Sequence, residues 1–381
     1  MRNRLLYVLS LVLLGFLSCT KTNDVEEPPI DTEEPTIRTN TLLTGREIIW
    51  GMGFLPNGEL LFSEKRGRLY RLVNGEAIEI SGLPNDINTS GQGGLLDLCV
   101  HPQHVDNGLI YMSYAAGGDP SLLKLVRFQL NNDQLSGLET IFETDASNAW
   151  QGHYGSRIAF DPDGLLYLSI GEGGPRSYGG SDSPNQNAQN IDSPWGKIHR
   201  LTDNGEIPEH NPRLPEGAAP SSIFAYGIRN PQGLAWNPFT NELWATDHGP
   251  SGGDEVNIIA SGNNYGWPLV SWGENYDGTP ISDGHDMEGI TNPIHYWSNS
   301  IGIGAMAFIS SDDFKAWKGD LLVASLAQEY LSRLEIHDNE IVSESMVIEG
   351  EGRIRNVKQA PDGTIYVSLE DPGRIIQLIP E

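Results

Sequence analysis

Six times between residues 53 and 379 the chain repeats one unit: an apolar entry, a turn built from Pro, Gly, Asn or Asp, and a second apolar strand. The copies are GFLPNGELLFSEKRGRLYRL (53–72), LDLCVHPQHVDNGLIYMSYA (96–115), RIAFDPDGLLYLSIGEGG (157–174), LAWNPFTNELWATDHGP (234–250), AMAFISSDDFKAWKGDLLVASL (305–326) and VKQAPDGTIYVSLEDPGRIIQLI (357–379). In the PNG and PDG tripeptides Gly supplies positive φ. The strands that follow, such as Leu-Tyr-Leu and Ile-Tyr-Val, are rich in β-formers. Successive copies lie roughly 45 to 75 residues apart. Four-stranded units of about 40–50 residues are the signature of a β-propeller, with longer spacings read as inserted loops. A β-sandwich would supply strands but no reason for six similar units. The repeat therefore predicts an all-β chain: a six-bladed β-propeller of four-stranded antiparallel blades over 42–381, with insertions mainly at 175–222 and 262–299. No long amphipathic helical period is present.

Polar residues recur at one offset within these units. Gln92 lies eight residues before Val100, His153 seven before Phe160, Arg229 seven before Trp236, and Arg353 and Arg355 six and four before Gln359. In a propeller the loops entering the innermost strands crowd the mouth of the central channel. Gln92, His153, Arg229, Asn230, Arg353 and Arg355 are thus expected to face one pocket. Three converging arginines repel one another unless something anionic lies between them. Either a ligand supplies that charge, or each Arg pairs with a neighbouring Asp or Glu.

The chain carries 51 acidic and 24 basic residues, for a formal charge of −27. Phosphate binding needs clusters of Lys and Arg, which are lacking, so nucleic acid is excluded as a partner. Small neutral substrates and bound divalent cations fit this balance. The first residues read as an export signal: Arg2 and Arg4, then an apolar run from Leu5 to Leu17, short of the about 20 residues a membrane span needs. The run ends in Phe16-Leu17-Ser18-Cys19, which is similar to a bacterial lipobox, with Phe16 where Leu is usual. That points to an exported bacterial lipoprotein, periplasmic, outer-membrane or cell-surface, with a lipid anchor at Cys19; the alternative is an ordinary signal peptide with an incidental Cys. Residues 20–41 are polar, acidic and Pro-bearing, and are expected to form a flexible tether between the 1–19 leader and the propeller. With Cys19 lipidated, Cys99 has no partner and is expected as a buried thiol.

Several long motifs then stand in order: GQGGLLDLCVHP, GHYGSR, NAQN with IDSPWGKIHRLTDNGEIPEHNP, YGIRNPQGLAW, DHGPSGGDEVN, NNYGWP, WGENY and GRIRNVKQAPDG. Together they resemble the soluble quinoprotein glucose dehydrogenase family, most closely its aldose sugar dehydrogenase branch, over about residues 42 to 380. The resemblance implies pyrroloquinoline quinone (PQQ), which carries three carboxylates, bound over the channel mouth. It implies that His153 is the base that takes the proton of the sugar C1 hydroxyl as hydride leaves C1, a role suited to imidazole. It places Arg229 near the quinone oxygens, where it would stabilise developing negative charge. Asn230, Arg353 and Arg355 match cofactor contacts, Gln92 matches a residue lining the sugar site, and Trp297 aligns with an aromatic wall for the sugar ring. A Ca²⁺ ion would be held by the main-chain oxygens of Gly249 and Pro250 together with the cofactor, hard ligands that suit this metal. A second Ca²⁺ would take the Glu255 carboxylate and the carbonyls of Tyr265 and Tyr276.

Two departures stand out. The family commonly has a Lys against the cofactor in a Ser-Leu-Lys or Ala-Leu-Lys setting; this chain reads Ser325-Leu326-Ala327-Gln328. The residue before the base is Gly152, where the glucose enzyme has Asp. The reading is an exported PQQ- and Ca²⁺-dependent dehydrogenase that oxidises the anomeric carbon of aldose sugars, mono- or oligosaccharide, to lactones and passes electrons to a quinone or cytochrome acceptor. A cell-surface propeller that binds glycan or protein without catalysis is the alternative. A Ca²⁺-dependent lactonase-like propeller is a third, opposed by a pocket of Arg, Gln and His rather than carboxylates.

Overall fold

The computed structural model describes residues 34–174 and 186–381, all within one compact unit. The leader, Cys19 and most of the tether lie outside the described residues. Strand β1 (Ile37–Arg46) opens the chain and is followed by six consecutive groups of strands. The first blade comprises β2 (Ile49–Phe54), β3 (Leu60–Glu64), β4 (Arg68–Val73) and β5 (Glu76–Ile80); the second β6 (Leu95–Val100), β7 (Leu109–Gly117), β8 (Ser121–Asn131) and β9 (Gln134–Glu143). The third comprises β10 (Ile158–Phe160), β11 (Leu166–Ile170), β12 (Lys197–Leu201) and β13 (Ile223–Tyr226); the fourth β14 (Pro231–Asn237), β15 (Glu242–Asp247), β16 (Asp254–Ile259) and β17 (His295–Trp297). The fifth comprises β18 (Ile303–Phe308), β19 (Leu321–Ser325), β20 (Tyr330–His337) and β21 (Glu340–Glu349). The sixth takes β22 (Ile354–Gln359), β23 (Ile365–Leu369) and β24 (Gly373–Pro380) and is completed by β1, antiparallel to β24. The ring is thus closed by pairing the two ends of the described chain.

This is the six-bladed propeller that the repeat predicts. Its boundaries differ in three places, one being that 262–299, expected as an insertion, contains β17. β1 starts at Ile37, so the sixth blade reaches into 37–41, which composition alone assigns to the tether. The stretch 175–222, expected as an insertion, contains β12: its KIHRL sequence is polar, yet every residue of it is buried. The first strands of successive blades pack on one another around the channel. Six apolar clusters fill the clefts between adjacent blades, one per cleft.

A hydroxyl recurs near the end of the second strand of every blade: Ser63, Ser113, Ser169, Thr246, Ser325 and Ser368, all with no exposed surface. In five cases it donates across the cleft to a carbonyl of the next blade or its entry loop: Ser63 to Leu96 (2.5 Å), Ser113 to Ser156 (2.7 Å), Ser169 to Pro231 (3.3 Å), Thr246 to Gly304 (2.8 Å) and Ser368 to Ile49 (3.1 Å). Ser63, Ser113 and Ser169 also accept a backbone N–H from their own blade's first strand or its entry, at Gly51, Asp97 and Arg157. Gly51 and Asp97 lie where register shifts interrupt β2–β3 and β6–β7 pairing, so the hydroxyl takes up an N–H that the ladder leaves over. Ser325 instead donates within its own blade, to Ile301. At that boundary the backbones approach directly: a Cβ on Gly304 would lie 3.1 Å from the Arg355 carbonyl oxygen.

Arg157 ties these strands from the channel. It is 3% exposed, ion-pairs with Asp97 at 3.1 Å, stacks on Trp50 at 3.9 Å, and donates to the carbonyls of Gln232 (2.7 Å), Trp50 and Arg355 (both 3.4 Å). One cation thereby joins blades one, two, three, four and six. Burial lowers its pKa to about 10, which leaves it charged at neutral pH. Replacing Arg157 with Met strands the Asp97 carboxylate and is expected to cost about 3–5 kcal/mol of unfolding free energy. Ser113→Ala, which leaves two backbone partners unmet, should cost about 1–3 kcal/mol. Denaturant midpoints that fail to fall in that order would contradict the hub.

Candidate active site at the channel mouth

The loops entering β6, β10, β14 and β22 converge on a cavity of about 370 Å³. Gln92, Asn230, Arg353 and Arg355 line it, as the common offset requires. His153 and Arg229, expected on the same wall, are not among its lining residues and are buried, 4% and 2% exposed. His153 is tied to the wall through Gln92, whose Oε1 accepts its backbone N–H at 2.9 Å, and through its neighbours Tyr154 and Gly155, which line the cavity.

The surroundings of His153 define its chemistry. Nδ1 lies 3.0 Å from Glu172 Oε1, and the other carboxylate oxygen accepts the Trp267 indole N–H at 2.7 Å. A carboxylate on Nδ1 fixes the tautomer with its proton there and leaves Nε2 with a lone pair. Burial first, then the nearby Arg229 guanidinium, lower the imidazole pKa to about 4, against the opposing pull of Glu172. The ring is therefore neutral at working pH, and Nε2 can accept a proton. Trp150 packs edge-on against it at 4.9 Å between centroids. The same indole explains Gly152: a Cβ there would lie 2.2 Å from the Trp150 ring, so the Asp of the glucose enzyme has no room in this loop.

Arg229 donates to the carbonyls of His248 (2.7 Å) and Gly249 (2.9 Å), lies 3.3 Å from the Tyr276 hydroxyl and sits over Trp267 at 5.3 Å. Asp247 closes β15 with its carboxylate on the backbone N–H groups of Arg229 (2.9 Å) and Asn230 (2.6 Å). Burial pushes that carboxyl up to about 6. Arg353 and Arg355 share Glu370, at 3.0 and 2.8 Å, so an internal carboxylate does lie between two of the three arginines. Arg355 also donates to Gln232 Oε1.

Lys197, fully buried, donates to the carbonyls of Asn187, Ala188 and Trp195. Asn187 in turn donates to the Glu172 carbonyl. The NAQN–PWGK segment is thus a brace behind the His153–Glu172 pair. Burial drops the Lys197 pKa to about 7.

Trp297 is a correction. It is 8% exposed, packs in the cleft between blades four and five, and donates its indole N–H to Glu344 at 3.1 Å. The resemblance aligns it with an aromatic wall for the sugar ring, but strand alternation in β17 turns it into the core. Trp150 and Trp267 are the indoles beside His153 and Arg229. Glu172, Asp247 and Glu370 escaped the offset argument because they sit at the ends of second strands, in SIGE, ATD and SLE. Cys99 is free and half-buried at the opposite, apolar mouth, where burial pushes its thiol to about 11.

Donor sets for the implied groups are present. The cavity wall carries more cations than carboxylates, which suits a polycarboxylate such as PQQ. The carbonyl oxygens of His248 and Gly249 already converge on one positive nitrogen, and the adjoining Pro250 is buried beside them, an oxygen cradle that suits a hard cation. At the second position, burial, then the neighbouring Asp247 carboxylate, push Glu255 to about 8, and Asn257 Oδ1 beside it accepts no hydrogen bond among the described residues. The Tyr265 and Tyr276 carbonyls likewise accept none there. An unmet oxygen beside a buried carboxyl, as at Asn257 and Glu255, suits a cation. Among the described residues no three His, Cys, Asp or Glu side chains cluster as a metal site, so any metal here relies on main-chain oxygens.

Comparison with known proteins gives a consistent picture. The Glucose / Sorbosone dehydrogenase family matches residues 46–377. Aldose sugar dehydrogenase YliI of Escherichia coli (strain K12) is 35% identical over 356 residues, 91% of this chain and 93% of that protein. The apo-form of the soluble aldose sugar dehydrogenase from Escherichia coli superposes with a TM-score of 0.82 at 34% identity, over 91% of this chain and 100% of that one. The PQQ-bound form of aldose sugar dehydrogenase from Streptomyces coelicolor gives 0.73 at 27% identity, over 93% and 100%.

His153 should stay neutral as pH falls from 8 to about 5 and take up a proton only near 4. ¹⁵N chemical shifts of the ring nitrogens, followed through an acid titration, check this; protonation near the ordinary 6.5 would mean the ring is not buried as described.

Proposed function

The chain belongs to the glucose/sorbosone dehydrogenase family, and from that premise we propose that it is a PQQ- and Ca²⁺-dependent aldose dehydrogenase that converts the anomeric carbon of sugars to the lactone. The observation that carries the reading is the buried, neutral His153, held by Glu172 with Nε2 left as its basic atom, beside Arg229 and next to the Tyr154 and Gly155 wall of a cationic cavity. PQQ, when bound, supplies the two-electron acceptor that takes hydride from C1. Asn230, Arg353 and Arg355 would hold it, and a Ca²⁺ ion on the Gly249 and Pro250 oxygens would act there as a Lewis acid.

The chain's own residues do the rest. His153 Nε2 takes the C1 hydroxyl proton as C1 loses hydride, so the C1–O bond gains double-bond character without an alkoxide building up. Glu172 holds the ring and stabilises the imidazolium that forms. Arg229, a fixed cation in a water-poor layer, stabilises negative charge that develops near it. Gln92 fixes the His153 backbone from the cavity wall and offers its amide to the sugar. Export through the leader, a lipid anchor at Cys19 and a quinone or cytochrome as final acceptor complete the proposal; their support is the sequence of 1–41 and the open channel mouth.

Purified protein given PQQ and Ca²⁺ should reduce an artificial acceptor when aldose is added. His153→Gln should lower kcat by about 10²–10⁴ with PQQ affinity kept, and Glu172→Gln should act in the same direction through the wrong tautomer. A His153→Gln enzyme within twofold of wild type would remove the base assignment. Ca²⁺ should raise the melting temperature and a chelator lower it, as for any ligand of the folded state, with the shift reduced in Glu255→Gln. Mass spectrometry of the mature N-terminus tests the anchor: a free amino group at any residue after Cys19 rules it out.

A further inference from the structure

Lys65 follows β3 and reaches into the same cavity from the first blade, beside Arg353, Arg355 and Glu370. Its ammonium donates to the Gly91 carbonyl at 2.9 Å, next to Gln92. None of the ion pairs among the described residues includes Lys65, and its other two N–H donors meet no acceptor there. Glu370 is engaged by Arg353 and Arg355 and makes no ion pair with Lys65. Three cations thus face one carboxylate on this wall, an excess of two positive charges in a chain of net charge −27.

Such an arrangement costs free energy in the empty protein. Burial, then repulsion by Arg355, lower the Lys65 pKa. A half-buried ammonium with a single protein partner keeps two donors for solvent or for an anionic ligand that enters the cavity. Ala327, where a Lys is usual, is exposed on the loop after β19, and the adjoining Leu326 lines the cavity. The first-blade lysine and the fifth-blade loop therefore border one space.

We propose that Lys65 binds a carboxylate of the cofactor and supplies the positive charge that this chain lacks at position 327. The inference rests on the PQQ reading and assigns it a residue: two separate positive centres, the Arg353–Arg355 pair and Lys65, for two separate carboxylates of one planar ligand.

The test is equilibrium titration of PQQ into the apo-protein at saturating Ca²⁺, read by absorbance or calorimetry, with melting of each apo-protein alongside. Lys65→Gln keeps a donor for the Gly91 carbonyl but loses the charge; it should weaken PQQ binding about ten- to a hundredfold with an apo melting temperature at or above wild type. Lys65→Arg should bind within a fewfold of wild type. Arg66→Gln, at an exposed residue that ion-pairs with Glu47, should bind as wild type. If Lys65→Gln does not fold, Lys65→Met, which removes charge and donor together, takes its place with the same expectation. Wild-type affinity in the neutral variant overturns the assignment of Lys65 and leaves the cofactor reading standing. No PQQ binding by wild type overturns both.

Discussion

The structure depends on one buried cation. Arg157 sits where five of the six blades come together, and its guanidinium replaces water with an aspartate, an indole face and three carbonyls. A charge taken so far out of water is tolerable only when every donor is met. That requirement fixes the first strands relative to one another. The hydroxyls of Ser63, Ser113, Ser169, Thr246 and Ser368 repeat the tie one cleft further out. Rigid spacing of the entry loops follows, and the geometry of the mouth is inherited from it.

The mouth is organised by carboxylates rather than by its cations. Glu172, Asp247 and Glu370 lie at or just past the ends of β11, β15 and β23, one to three residues after a latch hydroxyl. Each holds a different group: the His153 ring, the Arg229–Asn230 backbone, and the Arg353–Arg355 pair. Glu64 does the same for Arg46 after Ser63. A single strand end therefore supplies both an interblade tie and an anchor for the neighbouring loop. Strain is part of this: His153 is held at φ +48, a conformation costly for a residue with a Cβ, and the bonds from Gln92 and Glu172 sustain it.

The architecture was legible because a period-two apolar strand followed by a Gly turn leaves a strong local signal, and six copies leave no room for another class. The converging residues were legible for a related reason: an offset measured from the first strand is an offset from the channel. What was not legible depended on side-chain direction. Trp297 is expected at the mouth from its alignment and KIHRL within an inserted loop from the repeat spacing, yet both lie in the interior. Lys65 gave no signal at all, since SEKRG reads as a solvated turn. The carboxylates could have been found: Leu-Leu-Phe-Ser-Glu, Leu-Tyr-Leu-Ser-Ile-Gly-Glu, Leu-Trp-Ala-Thr-Asp and Ile-Tyr-Val-Ser-Leu-Glu align on the hydroxyl, and an acid follows it each time.

The two ends of the channel differ for a reason that the strand direction supplies. Every first strand enters at the mouth and leaves at the far end, where the cavity is lined by Phe54, Val100, Phe160, Trp236 and Phe308. Four of the six turns that follow there, 55–59, 161–165, 238–241 and 360–364, have four or five residues, while 101–108 and 309–320 each hold a short helix. At the mouth the chain instead returns from an outer strand to the next blade's centre. Two of these returns are long, 81–94 before β6 and 144–157 before β10, and carry Gln92 and His153; those before β14 and β22 are only four residues each and carry Arg229, Asn230 and Arg353. Loops on a rigid ring can carry a base and several cations without disturbing the sheets. Antiparallel blades with consecutive connections thus bring the entry loops of several blades to one end, where Gln92, Asn230 and Arg353 share a wall.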